Sequence, residues 1–186
     1  MESSLQNHFL IAMPTLADSF FYRSVIYLCE HDKNGAMGLI INRPTRVMLE
    51  ELLSHLHIEN PSESIKNTPV LFGGPVQKGQ GMVIHDQAQS PWKSSLQLSD
   101  DVILTTSTDI LEAIGTDEGP SNALVTLGYA GWSAGQLEEE LMENSWLTVP
   151  ASHELLFTTP AEQRWQAAAK SIGVDINLMS NFAGHS

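Results

Sequence analysis

The sequence predicts an α+β fold: hairpins and a mainly antiparallel sheet, curved around its core, with helices beside it. Three observations carry that reading. Short apolar runs rich in β-branched and aromatic residues dominate the middle of the chain. The pair Asn34-Gly35 between two such runs announces a tight antiparallel hairpin. Helical stripes alternate only loosely with the strands, so a doubly wound parallel sheet is not expected.

The elements follow in order. "HFLIAMP" (8–14) is an apolar run closed by proline and reads as a strand. "SVIYLCEH" (24–31) and "AMGLIIN" (36–42) flank the Asn34-Gly35 turn and form the hairpin. "MLEELLSHLHI" (48–58) carries a helical stripe in Leu49, Leu52, Leu53, Leu56 and Ile58. "PVLFGGPV" is a strand entering Gly73-Gly74-Pro75, and "GMVIHD" (81–86) is the next strand. "LQLSDDVILTTS" reads as two short strands split at Ser99 to Asp101. "TDILEAIG" is a helix with Ser107 or Thr108 as N-cap and Gly115 as its stop. The strand "NALVTLG", a helix from Gln136 to Asn144 and the extended "SWLTVP" come next. "SHELLF" offers one or two helical turns. "AEQRWQAAAKSIG" is a helix between Pro160 and Gly173, and the tail after it is ambiguous.

Length and composition bound the function. The 186 residues suffice for one domain, expected over 1–186, and the 42% hydrophobic and 17% charged residues are an ordinary globular balance. The formal charge is −13, and no basic residue stands between Lys93 and Arg164. Nucleic-acid binding rests on cations that neutralise phosphates, so this half argues against direct DNA contact. The first half holds Arg23, Lys33, Arg43, Arg46, Lys66, Lys78 and Lys93, which form a patch only if the fold gathers them. Cys29, the one cysteine, lies in an apolar run and reads as a buried structural thiol. The start resembles no signal peptide and no apolar stretch is long enough for a membrane span, so a cytoplasmic protein is expected.

The segment "YAGWSAGQLEEEL" contains G-x-S-x-G: Gly131, Trp132, Ser133, Ala134, Gly135. After a strand and before a helix, that pattern can present a hydrolase nucleophile. Ser133, Asp175 and His185 also follow the nucleophile-acid-histidine order of α/β-hydrolases, and "FGGP" (72–75) could supply oxyanion donors. The competing reading is a capping box, in which Ser133 and Gln136 satisfy the first amides of a helix. Glu138, Glu139 and Glu140 then sit where the helix dipole favours negative charge. The same acids would oppose an oxyanion, and His185 lies at the frayed chain end. The cap is the reading the residues favour, and the serine hydrolase is the alternative.

Other constellations are weaker. His55 and His57 point to different faces of a predicted helix, His31 stands beside a turn, and His85 pairs with Asp86, so no metal site is expected. "FGGP" lacks the Gly-Lys-Ser/Thr of a phosphate loop. Trp132, flanked by glycines, is expected in a turn. Glycine-rich turns and polar residues interrupt the apolar strands at His31, Asn42, Gly73-Gly74-Pro75, Trp132, Gln136 and Glu140, which together form the candidate binding site.

Several segments together resemble the AlgH/YqgE family of small bacterial proteins: "HFLIAMP", "FFYRSVIYLCEHDKNGAMGLIINRP", "LFGGPVQKG" with "MVIH", "GYAGWSAGQLEEELMENSWL" and the terminal "GHS". The resemblance spans nearly the whole chain in order. It implies a compact domain with a bent, partly barrel-like sheet flanked by helices, and a cytoplasmic location. No established enzymatic activity comes with it, and no cofactor is expected. It also implies that the position of Ser133 accepts glycine or other small residues. A regulatory label on part of the family concerns alginate synthesis. Departures are Lys78-Gly79-Gln80-Gly81, where an arginine is usual, and Ser186, where the family tends to alanine. A non-catalytic domain that binds a small ligand or a protein partner, with a regulatory role, is therefore expected.

Overall fold

The computed structural model describes residues 3–16, 20–58, 63–86, 92–114, 116 and 118–183. Its strands are β1 (His8–Ala12), β2 (Val25–Asp32), β3 (Gly35–Ile40), β4 (Pro44–Met48), β5 (Pro69–Phe72), β6 (Val76–His85), β7 (Ser95–Gln97), β8 (Ile103–Thr105), β9 (Ala123–Ser133) and β10 (Trp146–Pro150). The helices are α1 (Leu49–His55), α2 (Asp109–Ile114), α3 (Gln136–Met142), α4 (Arg164–Lys170) and α5 (Ile176–Ala183). One sheet runs in the order β10-β1-β2-β3-β9-β6-β8-β7 and curls into a half-barrel. All these neighbours are antiparallel; only β5, which also pairs β4, lies parallel to β9.

The sheet is buried on both faces, because its central strands are apolar at consecutive positions. Phe9, Ile11, Val25, Tyr27, Leu39 and Ile41 point to one side, against Trp165, Ala168 and Ala169 of α4. Leu10, Ala12, Ile26, Leu28 and Ile40 point to the other, joining Trp132, Leu137 and Trp146. A third cluster packs α1 and α2 through Leu49, Leu53 and Ile110 on Val70, Val83 and Val125. Each fully buried Leu, Ile or Val adds about 1.5–3 kcal/mol of transfer free energy.

The α4 helix is fixed by two buried polar side chains. Trp165 Nε1 donates to Ala12 O at 2.9 Å. Arg164 is 5% exposed and donates to Leu155 O, Leu156 O and Ile41 O, tying the helix to the wide turn at Glu154–Thr158 and to the end of β3. Burial lowers the Arg164 pKa to about 10.

The structure revises several expectations. The hairpin forms as expected, with Asp32 opposite Gly35, so its loop is Lys33-Asn34. Glycine is required at 35 because a Cβ there would lie 2.3 Å from Trp132 O on β9. Trp132 is not in a turn. β9 continues past Gly128 to Ser133, with Ala130 and Trp132 buried and Gly131 and Ser133 exposed. That alternation is a strand period, which the flanking glycines disguised. Pro44–Met48 adds a strand, the first predicted helix stops at His55, and the ambiguous tail forms α5. The 161–173 helix opens with a tight turn at Ala161–Gln163 and ends at Lys170. Gly115 lies outside the described residues. Cys29 is fully buried, and burial pushes its thiol pKa up, as a structural thiol requires. No described helix is long and apolar enough to cross a membrane.

Candidate functional site

Register brings part of the candidate site together. His31 on β2 stands opposite Ala36 on β3, which stands opposite Trp132 on β9. Directly opposed residues share a face, so His31 and Trp132 flank Ala36 on the side that α3 covers. Leu137 and Leu141 of α3 pack into the cluster of Trp132. Trp132 itself is 6% exposed, stacks on Phe21 with centroids 6.4 Å apart, and meets Trp146 edge-on at 6.2 Å.

His31 is a junction. Its Nδ1 accepts from Leu5 N–H at 2.9 Å, which places the ring proton on Nε2, donated to Glu138 Oε1 at 2.6 Å. Its carbonyl accepts from Ser4 Oγ at 2.9 Å. The chain start, the β2–β3 hairpin tip and α3 thus meet at one imidazole. Hydrogen bonding from His31 and from a backbone amide holds the Glu138 carboxyl below its usual range. Glu138 is the site residue that the sequence hid, since a run of three glutamates after a helix start reads as dipole complement alone.

The capping box at Ser133 is corrected. The N-cap of α3 is Gly135, in the left-handed region at φ 80°, with no side-chain cap bond. Ser133 is still strand, paired with Gly35, so Gln136 is the first helical residue rather than the third. Only the reciprocal half of the motif survives: Gln136 Oε1 accepts from Ser133 N–H at 3.0 Å and from Ser133 Oγ at 3.2 Å. The hydroxyl proton is therefore given to an amide oxygen, not an imidazole. The other members of the alternative triad fare no better. Asp175 Oδ1 accepts from the amides of Asn177 and Leu178 at the start of α5, and His185 lies outside the described residues.

Gly73 and Gly74 answer to packing. β3 and β5 flank the same edge of β9, and the turn sits in the fork between them. Gly73 N–H donates to Leu127 O, and its carbonyl accepts from Ile40 N–H. A Cβ on Gly73 would lie 2.3 Å from Gly128 O, and one on Gly74 (φ 156°) would lie 2.1 Å from the Tyr129 carbonyl carbon. Half-buried Pro75 leads straight into β6. The turn thus flanks Tyr129 and Ala130 on the strand that carries Trp132. Half-buried Glu140 shares α3 with Gln136 and takes Ser145 N–H on its carbonyl.

Asn42 lies apart. It follows β3, where Oδ1 accepts from Val25 N–H and Nδ2 donates to Arg23 O, each at 2.9 Å. Val25 and His31 are at opposite ends of β2, so Asn42 and His31 do not share a pocket. His85 bonds the Asp86 carbonyl through Nδ1 at 2.8 Å and Thr105 Oγ1 through Nε2 at 2.7 Å, while the Asp86 carboxylate holds Asn122. Among the described residues no cluster of three or more His, Cys, Asp or Glu can hold a metal ion.

Comparison with known proteins agrees with the fold. A family model described as AlgH-like matches residues 9–177. A UPF0301 protein of Shewanella woodyi is 53% identical over 185 residues, covering 98% of this chain and 99% of the relative. A UPF0301 protein of Stenotrophomonas maltophilia is 53% identical over 183 residues, covering 98% and 97%. The solution structure of the AlgH protein from Pseudomonas aeruginosa superposes with a TM-score of 0.80 at 44% identity, covering 100% of this chain and 98% of that one. A crystal structure from Corynebacterium diphtheriae shares the fold at TM-score 0.74 and 19% identity, over 97% and 93% of the two chains.

Proposed function

This chain belongs to the AlgH-like family, and from its geometry we propose that it is a non-catalytic binding domain with a regulatory role, docking a basic protein partner on α3. The observation that carries this is the division of labour on the helix. The buried side of α3 is fixed by Leu137 and Leu141 on the Trp132 cluster and by Glu138 on His31. Its outer side offers Glu139 and Glu143 around Met142, which is 84% exposed. An exposed apolar side chain rimmed by carboxylates fits a basic surface with an apolar recess. In this reading His31, Trp132, Gln136 and Glu140 position the helix, while Gly73, Gly74, Pro75 and Asn42 support the sheet beneath it. A hydrolase reading has no support, since the Ser133 proton is committed to Gln136.

The test is a pull-down from bacterial lysate with immobilised wild type and a Glu139→Lys/Met142→Glu variant, eluted by rising salt. Partners retained at low salt should elute as salt rises and be absent from the variant. The same partners on both columns would end the proposal. A fluorophosphonate probe should leave wild type and Ser133→Ala equally unlabelled.

A further inference from the structure

The fold gathers three cations of this acidic chain around one loop. Phe20 and Tyr22 are 40% and 47% exposed. Lys78 Nζ lies over the Phe20 ring at 5.6 Å, and the Arg23 guanidinium lies over the Tyr22 ring at 5.3 Å. Arg43 sits between them, donating to the carbonyls of Phe20 and Tyr22. Among the described residues the ion pairs within 4.0 Å are His31–Glu138, Lys66–Glu63 and His153–Asp86, and none uses these three cations. In a chain with 22 carboxylates and 9 basic side chains, these three bases thus face aromatic rings and carbonyls, with no ion pair to an acid among the described residues.

The loop is held rigid. Ser24 Oγ donates to Phe21 O at 2.8 Å, and Asn42 Nδ2 to Arg23 O at 2.9 Å, so four consecutive carbonyls are bonded. Arg23 is kept at φ 54°, a conformation that costs a non-glycine residue energy and persists only where its surroundings impose it. Asn42 and Arg43, which follow β3, are therefore positioning residues for this patch. A surface arranged before binding loses less entropy on association.

We propose that Phe20, Tyr22, Arg23, Arg43 and Lys78 form a docking patch for a short acidic peptide segment of a partner protein that also carries an apolar side chain. Charge complementarity selects the acid, and the exposed rings select the apolar residue. Magnitudes select a short segment over a polyanion. At physiological salt charges farther than about 8 Å are screened, so a short peptide feels mainly the patch. A nucleic acid or an anionic bilayer extends far past it and meets the remainder of a molecule with net charge −13.

The experiment is fluorescence anisotropy with a short fluorescein-labelled peptide of glutamates around a central Leu-Phe pair. The counterpart with lysines in place of glutamates is the first control. The full chain should bind the acidic peptide saturably and the basic one far more weakly. Lys78→Glu and Arg23→Glu, both at exposed side chains, should each weaken binding by about tenfold. Lys78→Met should fall between, and Glu30→Lys, an exposed position toward the far end of β2 from the loop, should stay within about twofold of wild type. Absence of saturable binding, equal affinity in Lys78→Glu, or tighter capture of oligothymidylate or phosphatidylglycerol vesicles would each overturn the proposal.

Discussion

Gly74 and Gly79 are separated by five positions and have opposite sensitivities. A Cβ at Gly74 enters the backbone of Tyr129 and Ala130 at 2.1 to 2.4 Å, at a φ of 156°. A Cβ at Gly79 meets nothing within 4 Å. Gly74→Ala should therefore lower stability by about 3 kcal/mol or prevent folding, through combined clash and backbone strain. Gly79→Ala should stay within about 0.5 kcal/mol, as surface changes do. Urea melts of the two variants check this, and equal midpoints would refute the fork geometry. His85 yields a second expectation. It is fully buried, and desolvation outweighs its bond to Asp86, so its pKa lies below the ordinary 6.5. The unfolded chain then takes up the proton first. The contribution of His85 is complete above about pH 6.5 and is lost as pH falls through that value toward the lower folded pKa. In an NMR titration its imidazole should titrate with a midpoint below pH 6.5; a midpoint at or above 6.5 would contradict the burial. At this scale the sequence was partly readable. Ser133 and Gln136 do bond, but Ser133 is still strand and the helix is capped two residues later, at Gly135, so the helix amides go uncapped by the serine. Glu138 could not be singled out, because its partner His31 is 107 positions away.

Among the elements, α4 is held by the most demanding contact. Arg164 satisfies carbonyls of three residues from two other segments, and none of the ion pairs among the described residues uses it. Lysine in its place is as cationic but has no planar fork. Arg164→Lys should leave at least one buried carbonyl without a donor and cost about 1–3 kcal/mol, more if the ammonium is also desolvated. Differential scanning calorimetry reads the loss directly, and an unchanged melting temperature would show that the fork is dispensable. The wide turn at Glu154–Thr158 should loosen with it, visible as faster amide exchange at Leu156 and Thr159. Elements built from local chemistry were the readable ones. The β2–β3 hairpin was announced by Asn34-Gly35, and β7 and β8 by the break at Ser99 to Asp101. The end of β9 was not, because Gly131 and Gly135 bracket a strand whose identity depends on pairing with a hairpin nearly a hundred residues earlier. Tertiary pairing overrode the local turn signal.

Across the whole molecule, charge is distributed against the fold. The net −13 sets carboxylate against carboxylate, most densely on α3, where Glu139 and Glu143 are one turn apart. Against this, the ion pairs found among the described residues are three, two of them made by histidines. Salt therefore screens far more repulsion than attraction. The screening length shrinks from about 30 Å at 0.01 M to about 10 Å at 0.1 M, which removes most repulsion between acids on different elements. Unfolding lets those acids move apart, so screening should favour the folded state. The melting temperature should rise by roughly a few degrees over that range and then level off, since screening changes little once the Debye length is shorter than the charge spacing. Sodium chloride and sodium bromide should act alike at equal ionic strength, which separates screening from effects of salt on apolar hydration. A charge-reversed Glu143→Lys chain should start from a higher melting temperature and respond less to salt, because it relieves the i,i+4 repulsion and places a cation at the C-terminal end of α3. A melting temperature that falls steadily with salt would mean that attractive pairs, not repulsion, dominate this acidic surface.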